Sequence, residues 1–434
     1  MHVSIAPHGE VAGSAVGGPT TTGMAGQSDS PFEVDRVRAT LMLLGIALHA
    51  ADVFVSSGDW LVADTRRGVA FDALVVLIHS FRIPGFFLLS GLLFAGSLSR
   101  HAGPDLLVRQ LLRLGLPLLT GWTLLNGAQA ALLAWHRQED PWAAMMSMST
   151  PVAHLWFLRD LLVLNLAVLA GRLLAAPLRR ATPTRRMAGG ADAAFAGWSG
   201  GLARLAGSPG TAEPTASAPP HWLTVALAGA LLGLGLSLVT RLSGLAHASL
   251  PGGMTLFNLS FYAPMFLAGL AMSHRPVWRD AWLRTPLWLL PIGAFAASWG
   301  DAASRTLPNP VAREAALAVQ LLGIWIATGA AVGALGRWRF PSGPGRRIGR
   351  ALADASYTIF LVHHLLVVAF ALLLLPLDWP AALKFTLIAA GTLVLSLAFH
   401  RWAVRPFATM RLLFNGRLPA PSHEPPAHAA PRRA

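Results

Sequence analysis

DRVRATLMLLGIALHAAD, residues 35–52, decides how this chain is read. It opens with charge, runs through an apolar core and sets His49 inside that core. An α-helix turns about 100° per residue, so the step from Arg38 to His49 makes about three full turns. Asp35, Arg38, His49 and Asp52 therefore share one narrow face of a predicted helix, and most other positions are Leu, Met, Ile, Ala or Val. An ionisable group inside an apolar span is costly, turns toward the interior of a bundle, and is a functional-site candidate by default. The plainer reading is a hydrogen-bonded structural histidine, and His49 taken alone does not choose between the two.

Composition agrees with a membrane setting. The 434 residues are 54% hydrophobic and only 12% charged, with a mean hydropathy of +0.53. Soluble domains carry about 25% charged residues. The sequence has no cysteine, which excludes disulfides and thiolate metal sites. A net charge of +14 invites a nucleic-acid reading, but the distribution of the charge argues otherwise.

Residues 1–34 are rich in Gly, Ser, Thr, Pro and Ala and read as a disordered tail. No basic segment leads into an apolar run there, so they do not read as a signal peptide. Apolar windows of membrane-spanning length then recur at 37–57, 71–97, 109–135, 152–176, 222–243, 254–273, 285–301, 312–335, 351–375 and 382–404. The expectation is an all-α polytopic membrane protein with about ten transmembrane helices around an intramembrane polar cavity. Helices 1–4 occupy 35–176, a flexible linker 177–221, helices 5–10 residues 222–405, and a C-terminal tail 406–434.

Basic residues orient the spans, because cytoplasmic loops carry the excess of Lys and Arg. Counted over the predicted loops and tails, 25 of the 34 basic residues fall on the side of the two termini. Seven fall on the opposite side: Arg66, Arg67, Arg137, Arg241, Arg305, Arg313 and Lys384. Arg82 and Arg159 lie within spans. Both termini and the linker are thus expected in the cytoplasm, and the basic balance needs no nucleic-acid partner.

That orientation fixes depths. His49 lies near the middle of span 1, Arg82 near the middle of span 2 with His79 one turn outward, and His363 at the middle of span 9 with His364 following. His154 and Trp156 lie toward the outer end of span 4, and Asp160 somewhat deeper. Arg82 has no carboxylate within a turn on its own helix, so its partner is Asp52, Asp160 or a substrate. Three separate spans bring titratable or charged groups to one depth, which points to a functional cavity.

There is no phosphate-binding glycine loop, no HExxH and no nucleophile elbow, and the histidines are too scattered to argue a metal from spacing. A histidine beside Asp52 can act as a general base, oriented by the carboxylate. A buried arginine can bind an anion or stabilise an oxyanion. Base plus cation suits acyl transfer from a thioester to a sugar hydroxyl, and equally suits proton-coupled transport of an anion.

Four motifs go further. DRVRATLMLLGIALH at 35–49, IHSFRIPGFFLLSG at 78–91, HLWFLRDLL at 154–162 and ASYTIFLVHH at 355–364 resemble the acyltransferase 3 family of membrane acyltransferases. The spacing of Arg38 and His49 matches that family's helix 1 signature. The resemblance is fuller to a branch that succinylates osmoregulated periplasmic glucans, extending to SSGDW at 56–60, FYAPMFLAGL at 261–270 and LLFNG at 412–416. It covers nearly all the spans in order. Pro84 and Gly85 depart from the bulkier residues expected there, which bears on the shape of the cavity.

The resemblance implies an enzyme of the bacterial inner membrane. It would move an acyl group, succinyl by analogy, from a cytoplasmic acyl-CoA to a periplasmic glucan, with no permanently bound cofactor. His49, Arg82 and His363 carry over as catalytic candidates with Asp52. Arg38, with Arg36, carries over as the donor-binding candidate. His79, Ser90, His154, Trp156, Asp160 and His364 are supporting candidates. The implied partners are the acyl-CoA, the glucan, the bilayer and proteins of glucan synthesis. A transporter or flippase for an anionic solute or glycan, and a membrane scaffold with a decayed site, are the alternatives. Retention of Arg38, His49 and Arg82 speaks against the scaffold.

Overall fold

The computed structural model of the protein describes residues 31–101, 103–147, 152–181, 220–250, 254–338 and 344–417. The expected tail at 1–34 lies outside these residues up to position 30, the linker at 177–221 lies outside them over 182–219, and the C-terminal tail lies outside them from 418.

The chain folds into α-helices. The deciding stretch lies in α1, Pro31–Asp52, and a loop at 53–68 leads to α2, Val69–Arg100. A helical rod, α3 (103–136), follows and carries two wide π segments at Leu111–Gly115 and Gly121–Asn126. Then come α4, Pro141–Met146, a 3-10 turn at Ala153–Leu155 and α5, Trp156–Ala181. Next are α6, Trp222–Leu242, α7, Leu256–His274 and the short α8, Pro276–Trp282. α9 is Leu289–Thr306, α10 Pro310–Arg337 and α11 Pro344–Leu374. α12, Ala381–Phe399, continues as a π segment to Val404, and α13, Ala408–Asn415, lies within the expected C-terminal tail. Strand structure is confined, among the described residues, to the antiparallel pair Ser249–Leu250 and Met254–Thr255.

Among the described residues, six helices are long and apolar enough to cross a membrane: Val69–Arg100, Trp222–Leu242, Leu256–His274, Pro310–Arg337, Arg347–Leu374 and Ala381–Val404. Their outward positions include Leu231, Val239 and Val394, all exposed, as a lipid-facing surface requires. α1 falls short of this class because it carries Glu33, Asp35, Arg36 and Arg38 at its start. Its apolar faces are nevertheless buried, with Leu41, Ala50 and Ala51 wholly enclosed.

Small residues set how closely the helices approach. With no hydrophobic gain between helices in lipid, close backbone packing carries the association. α2 and α7 cross where a side chain on Gly91 would overlap the carbonyl oxygen of Phe266, and one on Gly269 that of Leu88. The two crossing stretches resemble each other in sequence, SFRIPGFFLLSG at 80–91 and SFYAPMFLAG at 260–269. They pack on each other, with the Phe87 and Tyr262 rings stacked 5.0 Å apart. Pro84 and Gly85 do not interrupt α2, which runs unbroken through both. Gly85 is instead a contact point, 3.2 Å from Leu41 of α1 and Val332 of α10 if given a Cβ.

One end of the bundle is closed by the loop at 53–68. Asp64 in that loop and Lys384 on α12 form an ion pair at 2.7 Å, each side chain at most 3% exposed. The Asp64 backbone nitrogen donates to Val53 O and the Gly68 nitrogen to Phe54 O. Arg66 pairs with Asp378 across the same end. A pinned loop of this kind can hold a side chain over a site beneath it.

Candidate active site

The site forms where α1, α2, α11 and the start of α5 meet. On α1, the His49 Nδ1 lies 2.9 Å from Asp52 Oδ2. A carboxylate accepts, so Nδ1 carries the hydrogen and Nε2 carries the lone pair. The helical step of three residues brings the two side chains onto one face.

Arg82 of α2 is 3% exposed. Its Nε donates to the carbonyl of Leu41 on α1 at 3.0 Å. Its guanidinium lies 5.9 Å from the Phe86 ring centroid. It makes no ion pair among the described residues, and its Nη2 is buried without a hydrogen-bond partner. Asp52 is engaged by His49 and Asp160 by Arg159, so neither carboxylate is the salt-bridge partner that the sequence left open.

Gly45 explains how the arginine reaches this position. A Cβ there would sit 2.8 Å from Arg82 Cζ and 3.2 Å from His363 Nε2, and nearer still to Arg82 Nη2. The bare backbone of α1 is the surface on which the guanidinium and the His363 imidazole converge.

His363 is wholly buried on α11. Its Nδ1 lies 2.6 Å from Phe360 O. A carbonyl can only accept, which leaves the lone pair on Nε2, and that atom also lacks a partner. His364 orients its Nδ1 to Gln129 Oε1 of α3 at 2.6 Å. The histidine rings gather tightly: His49 lies 5.4 Å from His363 and 4.8 Å from His364, and His154 stacks on His364 at 4.6 Å. No group of three or more metal-ligating side chains among the described residues has a geometry that could hold a metal ion.

A cavity of about 340 Å³ opens beside this cluster, lined by His49, Asp52, His79, Arg82, His154, Trp156 and four apolar residues. Its walls hold both the histidine–carboxylate pair and the unpaired guanidinium. Trp60, from the pinned loop, lies against the cluster, its ring 6.2 Å from His49 and nearly parallel to it.

Of the candidates read from sequence, His49, Asp52, Arg82, His363, His364, His79, His154 and Trp156 come together here. Ser90 lies two turns farther along α2, half-buried and outside the cavity lining. Asp160 is fully buried but faces Arg159. Arg38 pairs with Asp35 at 2.9 Å, about 16 Å along α1 from His49 by helical rise. Arg36 is buried, and its Nη2 donates to Gly336 O of α10, a packing contact rather than a free cation.

Sequence reasoning missed Gly45, Gln129, Trp60 and the Phe360 carbonyl. Gln129 carried a signal, as a lone amide in the apolar run GAQAALLAW. Gly45 carried none, since a glycine in an apolar helix shows no sign of what crosses it.

The family model described as an acyltransferase domain matches residues 32–401, from α1 into the end of α12. The chain belongs to the acyltransferase 3 family. Its apolar helices and its family make it a membrane protein. Among its curated relatives, the Glucans biosynthesis protein C of Shigella dysenteriae serotype 1 is 30% identical over 142 residues, 31% of this chain and 37% of that protein. The protein of the same name from Escherichia coli K12 is 29% identical over the same length. The chain thus aligns with a little over a third of the length of those relatives. No solved structure matches it.

Proposed function

We propose that this acyltransferase moves an acyl group from a cytoplasmic thioester, acyl-CoA, to a hydroxyl of a periplasmic glucan, and that the acyl group is succinyl. In this reading ten spans cross the bacterial inner membrane with both termini in the cytoplasm, and the histidine–arginine cavity lies within the bilayer. The alternating basic loops support the topology. The names of the curated relatives support the glucan.

One observation carries the reaction type. A histidine with a carboxylate behind it faces the same cavity as a buried guanidinium nitrogen with nothing to bond. His49 Nε2 takes the proton of the acceptor hydroxyl as its oxygen attacks the thioester carbonyl. Asp52 holds the imidazole in the required tautomer and stabilises the imidazolium that forms. Arg82 Nη2 donates to the carbonyl oxygen as it becomes an oxyanion, and a buried donor of this kind is worth about 10²–10³ in rate. Collapse of the tetrahedral intermediate breaks the carbon–sulfur bond, and the proton on His49 passes to the departing thiolate. His363 Nε2, likewise without a hydrogen-bond partner, lies beside the guanidinium at Gly45 and is placed to accept from it. The terminal carboxylate of a succinyl group would be an alternative partner for the same guanidinium, through parallel hydrogen bonds.

The test uses purified protein in lipid discs, labelled succinyl-CoA and an unsubstituted periplasmic glucan. Label in the glucan, released by mild alkali as an ester, supports the reading. Glucan that crosses a sealed vesicle unlabelled supports a transporter instead.

A further inference from the structure

The end of α1 away from the histidines gathers a second set of charged groups. Arg38 is 18% exposed and paired with Asp35. Arg113 and Arg417 are close enough for their charges to act on it, and so is Tyr357. Arg417 is exposed and paired with Asp354 at 3.1 Å. Arg113 is exposed and makes no ion pair among the described residues.

Three distant segments are built to meet here. Arg113 lies in the first π segment of α3, where the widened turn turns its carbonyl to Tyr357, whose hydroxyl donates to it at 2.9 Å. π segments interrupt the regular bonding of a helix and recur at functional sites. Gly416, left-handed at φ 59°, closes α13 and fits against the same segment. A Cβ there would sit 2.5 Å from Arg113 Cα and overlap the carbonyl oxygen of Leu112. α13 is held from its other side by Asn415, which accepts from the Thr358 hydroxyl, itself bonded to His400. His400 in turn faces Asp354. The groups around the cluster are therefore Asp35, Asp354, Tyr357 and His400. Each of the two carboxylates is already engaged, and among the described residues the Arg113 fork has no ion-pair partner.

We propose that Arg113 and Arg417 join Arg38 in a site for the phosphates of the acyl donor, the nucleotide end of an acyl-CoA. This rests on the thioester-donor reading above. Guanidinium forks match phosphate oxygens in pairs and stay charged throughout. The site sits about 16 Å along α1 from His49, so phosphates held here leave the extended pantetheine arm to run up α1 to the histidine cavity. Anionic lipid headgroups present the same chemistry, and the test separates the two sources.

The full-length protein in phosphatidylcholine discs is titrated with coenzyme A, with 3′-dephospho-coenzyme A and with pantetheine. The variants are Arg113→Gln and Arg417→Gln. Arg113→Gln leaves the backbone carbonyl bonded to Tyr357 and keeps the fold intact. Coenzyme A should bind about tenfold more weakly to each variant, the loss of one charge-assisted contact. Pantetheine affinity, kcat at saturating donor and the acceptor KM should not move. Unchanged coenzyme A affinity in Arg113→Gln overturns the proposal, as does an effect confined to discs containing phosphatidylglycerol. If the wild type binds no coenzyme A and uses no acyl-CoA, the thioester reading fails. Arg113-dependent binding of inorganic pyrophosphate would then keep the phosphate site, and its absence would remove both.

Discussion

Replacing Gly45 by alanine tests whether the position of the Arg82 guanidinium carries the chemistry. The added Cβ would sit 2.8 Å from Arg82 Cζ, where ordinary contact begins at 3.4 Å, and nearer still to Nη2. The guanidinium must retreat by at least the difference, and Nη2 by more. Its room lies toward the cavity that it lines, and moving there disturbs its packing on Phe86 and its bond to Leu41 O. A shift of about 1 Å at a catalytic group costs on the order of 10²-fold in rate. Losing the hydrogen bond from the charged Nε costs about 1.5–3 kcal/mol of stability. The expected result is a folded variant with a lower melting temperature in detergent, normal abundance in the membrane, and transfer to glucan slowed about a hundredfold. Coenzyme A affinity should stay at the wild-type value, because Arg38 is two turns away. A variant that transfers at the wild-type rate would refute the placement of Arg82 in the reaction.

Other perturbations separate chemistry from architecture. Arg82→Gln strands no carboxylate, so stability should fall by no more than about 3 kcal/mol, while transfer falls about 10²–10³-fold. A variant that unfolds readily yet transfers at the wild-type rate per folded molecule would show the arginine to be structural. Asp64→Asn leaves the Lys384 ammonium buried without its partner and should cost about 3–5 kcal/mol in thermal unfolding. Adding Lys384→Met should recover much of that loss, and a wild-type melting temperature in the single variant would mean that the pair does not hold the loop. Arg38→Lys keeps the charge but loses the fork, so the KM for acyl-CoA should rise with kcat unchanged. An unaltered KM would make Arg38 an ordinary flanking cation.

The helices were legible because apolar windows of fixed length leave little choice of structure. The meeting of His49, Arg82 and His363 was legible for a related reason. Helical rise converts position in a span into depth, and three depths agreed. Depth does not say which way a side chain turns, and there the reading stopped. Arg36 and Arg38 look alike in sequence, yet Arg36 is spent on the Gly336 carbonyl and Arg38 is not. Lys384 counted as one more loop cation, while in the fold it is enclosed against Asp64. Such a pairing joins residues far apart in the chain and leaves no local pattern. The π segments of α3 are likewise invisible, since LLRLG and GWTLLN contain nothing that ordinary helices lack. The similar stretches at 80–91 and 260–269 mark two faces in contact. Both need a small residue at the crossing and aromatic rings beside it.

The central claim is that His49, backed by Asp52, activates a glucan hydroxyl for acylation. It is tested most directly by mass spectrometry of periplasmic glucans from cells lacking the protein, complemented with the wild type or with His49→Ala at equal membrane abundance. The account predicts succinyl-substituted glucans with the wild type, and unsubstituted glucans with His49→Ala and in the deletion. Succinylated glucans in the His49→Ala cells at the wild-type level would contradict it.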